Sequence, residues 1–394
     1  FMNKVPLSQC VHISIFGNTN VGKSSLINCI TGQDVSIVSP TKGTTTDPVY
    51  KTMELIPVGP CVFIDTAGLD DKSELGLLRI KKTNKVLSKT DIAIYVMDIN
   101  DINKQGYEDA KFNFKKFNVP FITVINKADT VSKQKLMKAK SELKNVLFVS
   151  SKTGEGVSFL KEELIKRIKE NQEDEFLIKG IVPYGGKVVM VIPIDSEAPK
   201  GRLILPQVQL LRECLDNGIK SYVVRDTELE SAILDLKDID LVVTDSQAFK
   251  KVEKIIPKDM RITSFSILLA RAKGDMDEYI KGVNTIENLP DGSKILIAEC
   301  CTHNTSHEDI ARVKIPMGLK KKTGKNFNFQ YCVGQDFPEN LNDYSLIIQC
   351  GACMVNKKTV QTRIMMAKDA NIPITNYGIV LAYISGILDR AFKK

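Results

Sequence analysis

Residues 17–24 read GNTNVGKS and lie between the apolar run VHISIF (11–16) and the helical SLINCITG (25–32). This is GxxxxGKS between a strand and a helix, the setting a phosphate-binding loop requires. Glycines let the backbone turn its N–H groups onto phosphates, at a helix N-terminus that already favours anions. Gly17 and Gly22 supply that freedom. Lys23 is expected to reach the β- and γ-phosphates, Ser24 to ligate Mg²⁺, and Ser25 to follow in the same turn.

The phosphate loop does not say which nucleotide is bound, but NKAD (126–129) does. It follows the strand-like PFITVI and comprises Asn126, Lys127, Ala128 and Asp129. A carboxylate there can accept from the N1–H and exocyclic amine of guanine, groups that adenine does not offer. A site built to pair them rejects the analogue that lacks them. FVSSKTGEG then supplies Ser150, Ser151 and Lys152 where a second base-contacting loop belongs, and VFIDTAG ends a strand at Asp65. Asp65 is expected to hold Mg²⁺ through water, and Gly68 to face the γ-phosphate. The four elements occur in the order of a GTPase domain.

The set GNTNVGKS, GTTTDP, DTAGL, NKAD and SSK resembles the TrmE–Era class of GTPases. That resemblance implies that Thr45, in Gly43-Thr44-Thr45, is the switch threonine that joins Mg²⁺. Thr46 stands where the class usually has Arg. Leu69 follows DTAG where Ras-type switches carry a water-orienting Gln. In potassium-activated members an Asn in the phosphate loop seats K⁺, and Asn20 occupies that position, which implies K⁺-stimulated hydrolysis. Glu74, in DDKSELG, is a candidate for positioning the water, set against its reading as a first-turn helix glutamate.

At 394 residues the chain is expected to hold more than one domain. An apolar fraction of 43% with 26% charged residues is that of a globular protein. No run approaches the roughly 18 apolar residues of a membrane span. The start carries no export signal, so a cytoplasmic location is expected. The net charge of +8 is modest, and GLKKKTGK, with Lys320, Lys321, Lys322 and Lys325, has no interleaved aromatics for base stacking. Nucleic-acid binding is not expected.

After the helix-like FLKEELIKRIKEN, the stretch QEDEFLIKGIVPYGG (172–186) reads as a linker. From Lys187 short apolar runs alternate with helical ones, the pattern of a small parallel α/β layer. It carries no phosphate loop or histidine, so an assembly role in a symmetric dimer is favoured over a ligand pocket.

The chain has nine cysteines. Cys10, Cys29, Cys61, Cys214 and Cys332 are scattered singly and read as small buried hydrophobes. The other four cluster: KILIAEC ends at Cys300, followed by Cys301 and His303 in CCTHN, and SLIIQC ends at Cys350, followed by Cys353. Ligands bind outside the carboxyl ends of strands in an open parallel sheet. If these two strands are neighbours, Cys301, Cys350 and Cys353 converge, with His303, His307 and Glu308 on the same rim. A zinc site, a redox CxxC and a 4Fe-4S cluster compete for these residues. Cys300 is expected to pack inward, opposite to Cys301, if the strand continues.

ILIAECCTHN, QCGAC, IPITNYGIVLAYISGIL and PIDSEAPKGRLILPQVQ resemble the FeFe-hydrogenase maturation GTPases of the HydF family, along essentially the whole chain. The resemblance implies three α/β domains, an N-terminal P-loop GTPase (1–172), a dimerisation domain (173–266) and a cluster-binding domain (267–394), the last two being smaller parallel-sheet domains. It implies a homodimer, extending to a tetramer, that carries a 4Fe-4S cluster on Cys301, Cys350 and Cys353. The scaffold would receive a diiron precursor, made with two radical-SAM maturases, and deliver it to apo FeFe-hydrogenase. Members with HCxxC have a His where this chain has Gln349. For the fourth ligand Glu308 comes first, then His303, His307 or water. The rival from another class is a potassium-activated RNA-modification GTPase with a structural zinc site.

Overall fold

The computed structural model describes residues 5–32, 36–38, 48–66, 76–171, 176–194, 201, 203–300, 310–334 and 336–392. It divides into two compact units, Phe1–Glu173 and Asp174–Lys394.

The first unit is built on a seven-stranded sheet. Its strands are β1 (Val11–Phe16), β2 (Ser36–Val38), β3 (Val49–Leu55), β4 (Gly59–Asp65), β5 (Ile92–Asp98), β6 (Phe121–Asn126) and β7 (Val146–Phe148), in the order β2-β3-β4-β1-β5-β6-β7. The strands from β4 to β7 are parallel, and β3 runs antiparallel to both β2 and β4. Strands buried on both faces need continuous apolar runs. Accordingly Ile13, Ile15, Phe63, Ile94, Val96 and Val124 are all buried. The sheet carries the three loops of the expected nucleotide site on the carboxyl ends of β1, β4 and β6.

The second unit holds two four-stranded parallel sheets. One is β8 (Lys187–Val191), β9 (Lys220–Val224), β10 (Leu241–Thr244) and β11 (Ile262–Ser264), ordered β11-β10-β8-β9. The other is β12 (Lys294–Glu299), β13 (Asn328–Val333), β14 (Leu346–Gln349) and β15 (Ile374–Asn376), ordered β13-β12-β14-β15. A single apolar cluster joins them, running from Val189, Val242 and Phe249 to Ile295, Ile347 and Ile379. The helix Tyr377–Ser385 is buried from Tyr377 through Tyr383, which explains why YGIVLAY has no polar face. Gly282, on the helix Met276–Asn284, lets that helix touch β15. A Cβ there would lie 2.1 Å from the Ile374 carbonyl oxygen.

The expected α/β organisation holds: an N-terminal P-loop domain is followed by two smaller parallel-sheet layers. Among the described residues no helix is long and apolar enough to cross a membrane. In the basic run, Lys322 lies over the Tyr383 ring, 5.4 Å from its centroid. Lys325 donates to the carbonyls of Glu287 and Leu289.

Candidate functional site

The nucleotide site is assembled from loops that contact one another directly. Gly17 sits at φ 141° and Gly22 at φ 92°, both in the left-handed half of conformational space. A Cβ on Gly17 would lie 2.2 Å from the Val96 carbonyl oxygen, and one on Gly22 would lie 2.5 Å from Asn126 Nδ2. Both glycines are therefore required by close approach as well as by φ. Lys23 opens the helix Lys23–Thr31; it is buried, and its ammonium donates to the carbonyls of Gly17 (2.5 Å) and Asn18 (2.9 Å). Ser24 Oγ donates to Asp65 Oδ2 at 2.5 Å, so the two expected Mg²⁺ residues already meet.

The base side is equally ordered. Asn126 is fully buried and donates to the Val21 carbonyl (2.9 Å) and to Ser151 Oγ (3.1 Å), while its Oδ1 accepts from Ser151 N–H (3.0 Å). Ser150 Oγ donates to Asp129 Oδ1 at 2.6 Å, leaving the exposed carboxylate aimed by one oxygen. Lys127, at φ 63°, pairs with Asp98 Oδ2 at 2.7 Å. Partial burial pushes the Asp98 carboxyl up. The bonds from Lys127 and Asn100 outweigh it and leave the carboxyl below its ordinary range. A cavity of about 500 Å³ opens here, lined among others by Asn20, Lys23, Ser24, Lys127, Asp129 and Lys152. That is the size and mixed chemistry of a nucleotide pocket. Asn20 lies at φ 65° in its wall. Gly43, Thr44, Thr45, Gly68, Leu69 and Glu74 lie outside the described residues.

The cysteine site is nonlocal. β12 and β14 are neighbours, with Ala298 paired to Gln349, and Cys350 N–H donates to the Ala298 carbonyl. The two cysteine loops therefore leave the same sheet edge side by side. The Cys350 sulfur accepts from Cys300 N–H (3.2 Å) and from Ala352 N–H (3.4 Å), and Asn376 Nδ2 anchors its carbonyl at 3.1 Å. Ala352 takes φ 55°, which turns the CxxC tightly. The neighbouring Cys300 thiol and burial hold the Cys350 thiol well above its ordinary value. Cys301, His303, His307 and Glu308 lie outside the described residues. Among the described residues no three His, Cys, Asp or Glu side chains are grouped to hold a metal ion.

The inward packing expected of Cys300 is found, but not through strand alternation. β12 ends at Glu299, so Cys300 does not continue the strand alternation. Its thiol is buried beside Cys350 and accepts from Arg363 Nη1 at 3.2 Å. Of the scattered cysteines, Cys10, Cys61, Cys214 and Cys332 are buried and Cys29 is half-buried. Sequence reasoning named Gln349 but not its burial, and missed two more buried polar residues around the CxxC turn. Gln349 is fully buried, with Nε2 donating to Tyr279 OH at 3.0 Å and Oε1 without a hydrogen bond among the described residues. Lys273 and Arg363 are the others, and only their burial marks them.

Of the expected ligands, Cys350 has surroundings that fit a metal-bound thiolate. A buried thiol approached by two backbone N–H groups is already solvated as a sulfur ligand, and metal binding displaces its proton. Cys353, half-buried, follows on the same turn.

Three family profiles match the chain. One is described as a 50S ribosome-binding GTPase (residues 12–127), one as the hydrogen maturase F dimerization domain (177–274), and one as the hydrogen maturase F tetramerization domain (277–394). The chain is 34% identical over 182 residues to the tRNA modification GTPase MnmE of Endomicrobium trichonymphae, covering 44% of this chain and 39% of that protein. It thus spans about two fifths of that relative's length. It is 26% identical over 267 residues to the GTPase Era of Caldanaerobacter subterraneus subsp. tengcongensis, covering 63% of this chain and 86% of that protein. Among solved structures, Aquifex aeolicus Era bound to GDP and AlF4− has 21% identity and a TM-score of 0.32, covering 54% of this chain and 92% of that one.

Proposed function

Because this chain belongs to the hydrogen maturase F family, we propose that it is a GTP-hydrolysing scaffold of FeFe-hydrogenase maturation. It holds a 4Fe-4S cluster on Cys301, Cys350 and Cys353, and passes the diiron precursor of the active site to apo-hydrogenase. The observation that carries this reading is the adjacency of β12 and β14, which brings the two cysteine loops to one sheet edge. When bound, the cluster supplies an iron with a coordination position that protein thiolates leave available. Glu308 heads the candidates for the fourth ligand, ahead of His303 and His307.

The GTPase acts as a switch. Lys23 and the N-terminus of its helix bind the phosphates, Ser24, Thr45 and Asp65 would hold Mg²⁺, and Asp129 selects guanine. Gly68 and Glu74 belong to the segment that answers the γ-phosphate, and Asn20 would hold K⁺. GTP binding and hydrolysis change contacts with the partner, so the partner changes nucleotide affinity by the same factor. The dimerization and tetramerization domains support a homo-oligomer, and the scaffold proposed here is a dimer that can extend to a tetramer.

The deciding experiment is anaerobic iron and sulfide reconstitution with EPR of the reduced protein, with zinc assayed in parallel. Wild type should give a 4Fe-4S signal that Cys301→Ala, Cys350→Ala and Cys353→Ala each lose. Stoichiometric zinc without that signal overturns the cluster reading. The switch role is refuted if hydrolysis-dead Lys23→Met or Asp65→Asn still activates apo-hydrogenase at the wild-type rate in a defined reconstitution. The similarity to tRNA modification GTPases, over 44% of the chain, favours one rival: a potassium-activated RNA-modification GTPase with structural zinc. It would show RNA affinity falling steeply with salt.

A further inference from the structure

The two sheets of the second unit repeat one design. Each orders its strands second, first, third, fourth, so β8 answers to β12, β9 to β13, β10 to β14 and β11 to β15. Their registers agree: Thr244 pairs with Val191 and Ser264 just as Gln349 pairs with Ala298 and Asn376. The last strand and helix agree in sequence too, ITSFSILLARAKG (262–274) against ITNYGIVLAYISG (374–386). Each of these helices is capped by the side chain that ends its strand, Ser264 or Asn376. The matching makes Ser266 the counterpart of Gly378, and Ser246 the counterpart of Gly351.

The counterparts Ser266 and Gly378 touch, for a Cβ on Gly378 would lie 2.3 Å from Ser266 Oγ. The contacts around them are exchanged in the same way. Gly351 abuts Ser266, where an added Cβ would lie 3.5 Å from the serine Cβ, and the helix Tyr377–Ser385 packs on the turn Ser246–Ala248. A position that meets its own counterpart, with its neighbours exchanged, marks an approximate two-fold axis. The CxxC turn lies beside it, and its cysteines divide between two cores. Cys350 packs against the cluster that holds Ile295 and Ile347. Cys353 packs against the core of the β8–β11 layer, which holds Leu210, Phe265 and Leu269. At the far end of the helix Phe265–Lys273, Lys273 donates to the carbonyls of Ala352 (3.3 Å) and Val355 (2.9 Å), which flank Cys353 in the chain.

We infer that the metal site is shared between two copies of one duplicated α/β unit: Ser266 of the first copy is a positioning residue for the CxxC turn of the second, and a cluster bound there clasps the copies together. This rests on the cluster reading above. Ser266 Oγ is itself tied to Ser246 Oγ (2.6 Å) and Ser264 Oγ (3.2 Å), so it transmits the position of the β10 and β11 ends to Gly351. Ligands must be held within about 0.5 Å of the binding geometry, and a displaced seat therefore weakens the site. The linkage is reciprocal: cluster binding tightens the seating of the copies, and tighter seating favours the cluster.

The test uses the full-length chain, reconstituted anaerobically. Hydrogen exchange read by mass spectrometry compares apo and cluster-loaded wild type over the helix Phe265–Lys273, which carries none of the expected ligands. Loading should slow exchange there by at least about fivefold, because opening that helix would then require releasing the turn. Gly378→Ala drives a Cβ onto Ser266, and Ser266→Gly empties the seat. Each alone should speed loss of the cluster to a chelator by about tenfold or more, with the far-UV circular dichroism of wild type. The double variant refills the space from the other side and should restore a loss rate close to wild type. Exchange that slows only within residues 294–376 overturns the proposal. So do single variants that hold the cluster as wild type does, or losses that simply add in the double variant. If Gly378→Ala does not fold, the exchange comparison on wild type still decides. A wild type that takes up no cluster overturns the cluster reading itself, which separates that failure from this one.

Discussion

Asn126, at the end of β6, donates across the sheet edge to the Val21 carbonyl of the phosphate loop, 2.9 Å away. The base-binding and phosphate-binding halves of the nucleotide site are thereby one hydrogen-bonded unit. Truncating Asn126 to Ala leaves the buried Val21 carbonyl and Ser151 N–H without these partners, a cost of about 1–3 kcal/mol. Affinity for GTP and GDP should fall together by roughly 10- to 100-fold. Titration with a fluorescent guanine nucleotide checks this, and loss of GTP binding alone would contradict it.

Asp129 faces the pocket with one oxygen tied to Ser150 Oγ. Asp129→Asn replaces an acceptor by a donor at the position where guanine presents its amine. GTP affinity should drop by more than about 100-fold, the loss of two charge-assisted bonds. XTP, which carries a carbonyl where guanine has the amine, should gain. Competition between GTP and XTP reads both changes in one assay.

Asn20 sits in the pocket wall with a left-handed backbone, φ 65°. If it seats K⁺ beside the phosphates, GTP turnover should be at least about tenfold faster in KCl than in NaCl of equal ionic strength, a gain of about 1.4 kcal/mol in the barrier. Asn20→Ala should erase the difference between the salts. Equal rates in the two salts for wild type would remove K⁺ from the mechanism.

His12 is buried in β1, with Nδ1 donating to the Cys10 carbonyl at 2.9 Å. Burial, aided by Lys89, lowers its pKa to about 4 from 6.5, against an opposing pull from the Cys10 carbonyl. Between those values the unfolded chain binds a proton that the folded chain does not. Stability therefore rises with pH across this window and is lost as pH falls through it, by up to roughly 3 kcal/mol. Urea unfolding at pH 5 and pH 7 should show the loss, and His12→Asn should reduce it. An unchanged pH dependence in that variant would refute the assignment.

Gly282 permits the contact between its helix and β15, where a Cβ would meet the Ile374 carbonyl. Alanine is the better helix former, yet Gly282→Ala should destabilise by about 1–3 kcal/mol through overpacking. A raised melting temperature in this variant would show that the helix can shift away from the strand.

The nucleotide site was legible from the sequence because its recognition is local. GNTNVGKS, NKAD and SSK each place their groups within a single turn after a strand, and the glycines at 17 and 22 have the close contacts that the motif demands. The alternation of apolar runs and helices likewise foretold three α/β layers. The cysteine site was legible only as a conditional, since it depended on β12 and β14 being neighbours, and strand order is a nonlocal choice. Tertiary packing made that choice. It also ended β12 at Glu299 and set the Cys300 backbone N–H on the Cys350 sulfur. Lys273 and Arg363 left no mark in the sequence. A lysine at the end of a helix has the same local pattern whether it is solvated or buried. Only the packing of that helix's end against the CxxC turn decides that its charge lies inside the protein.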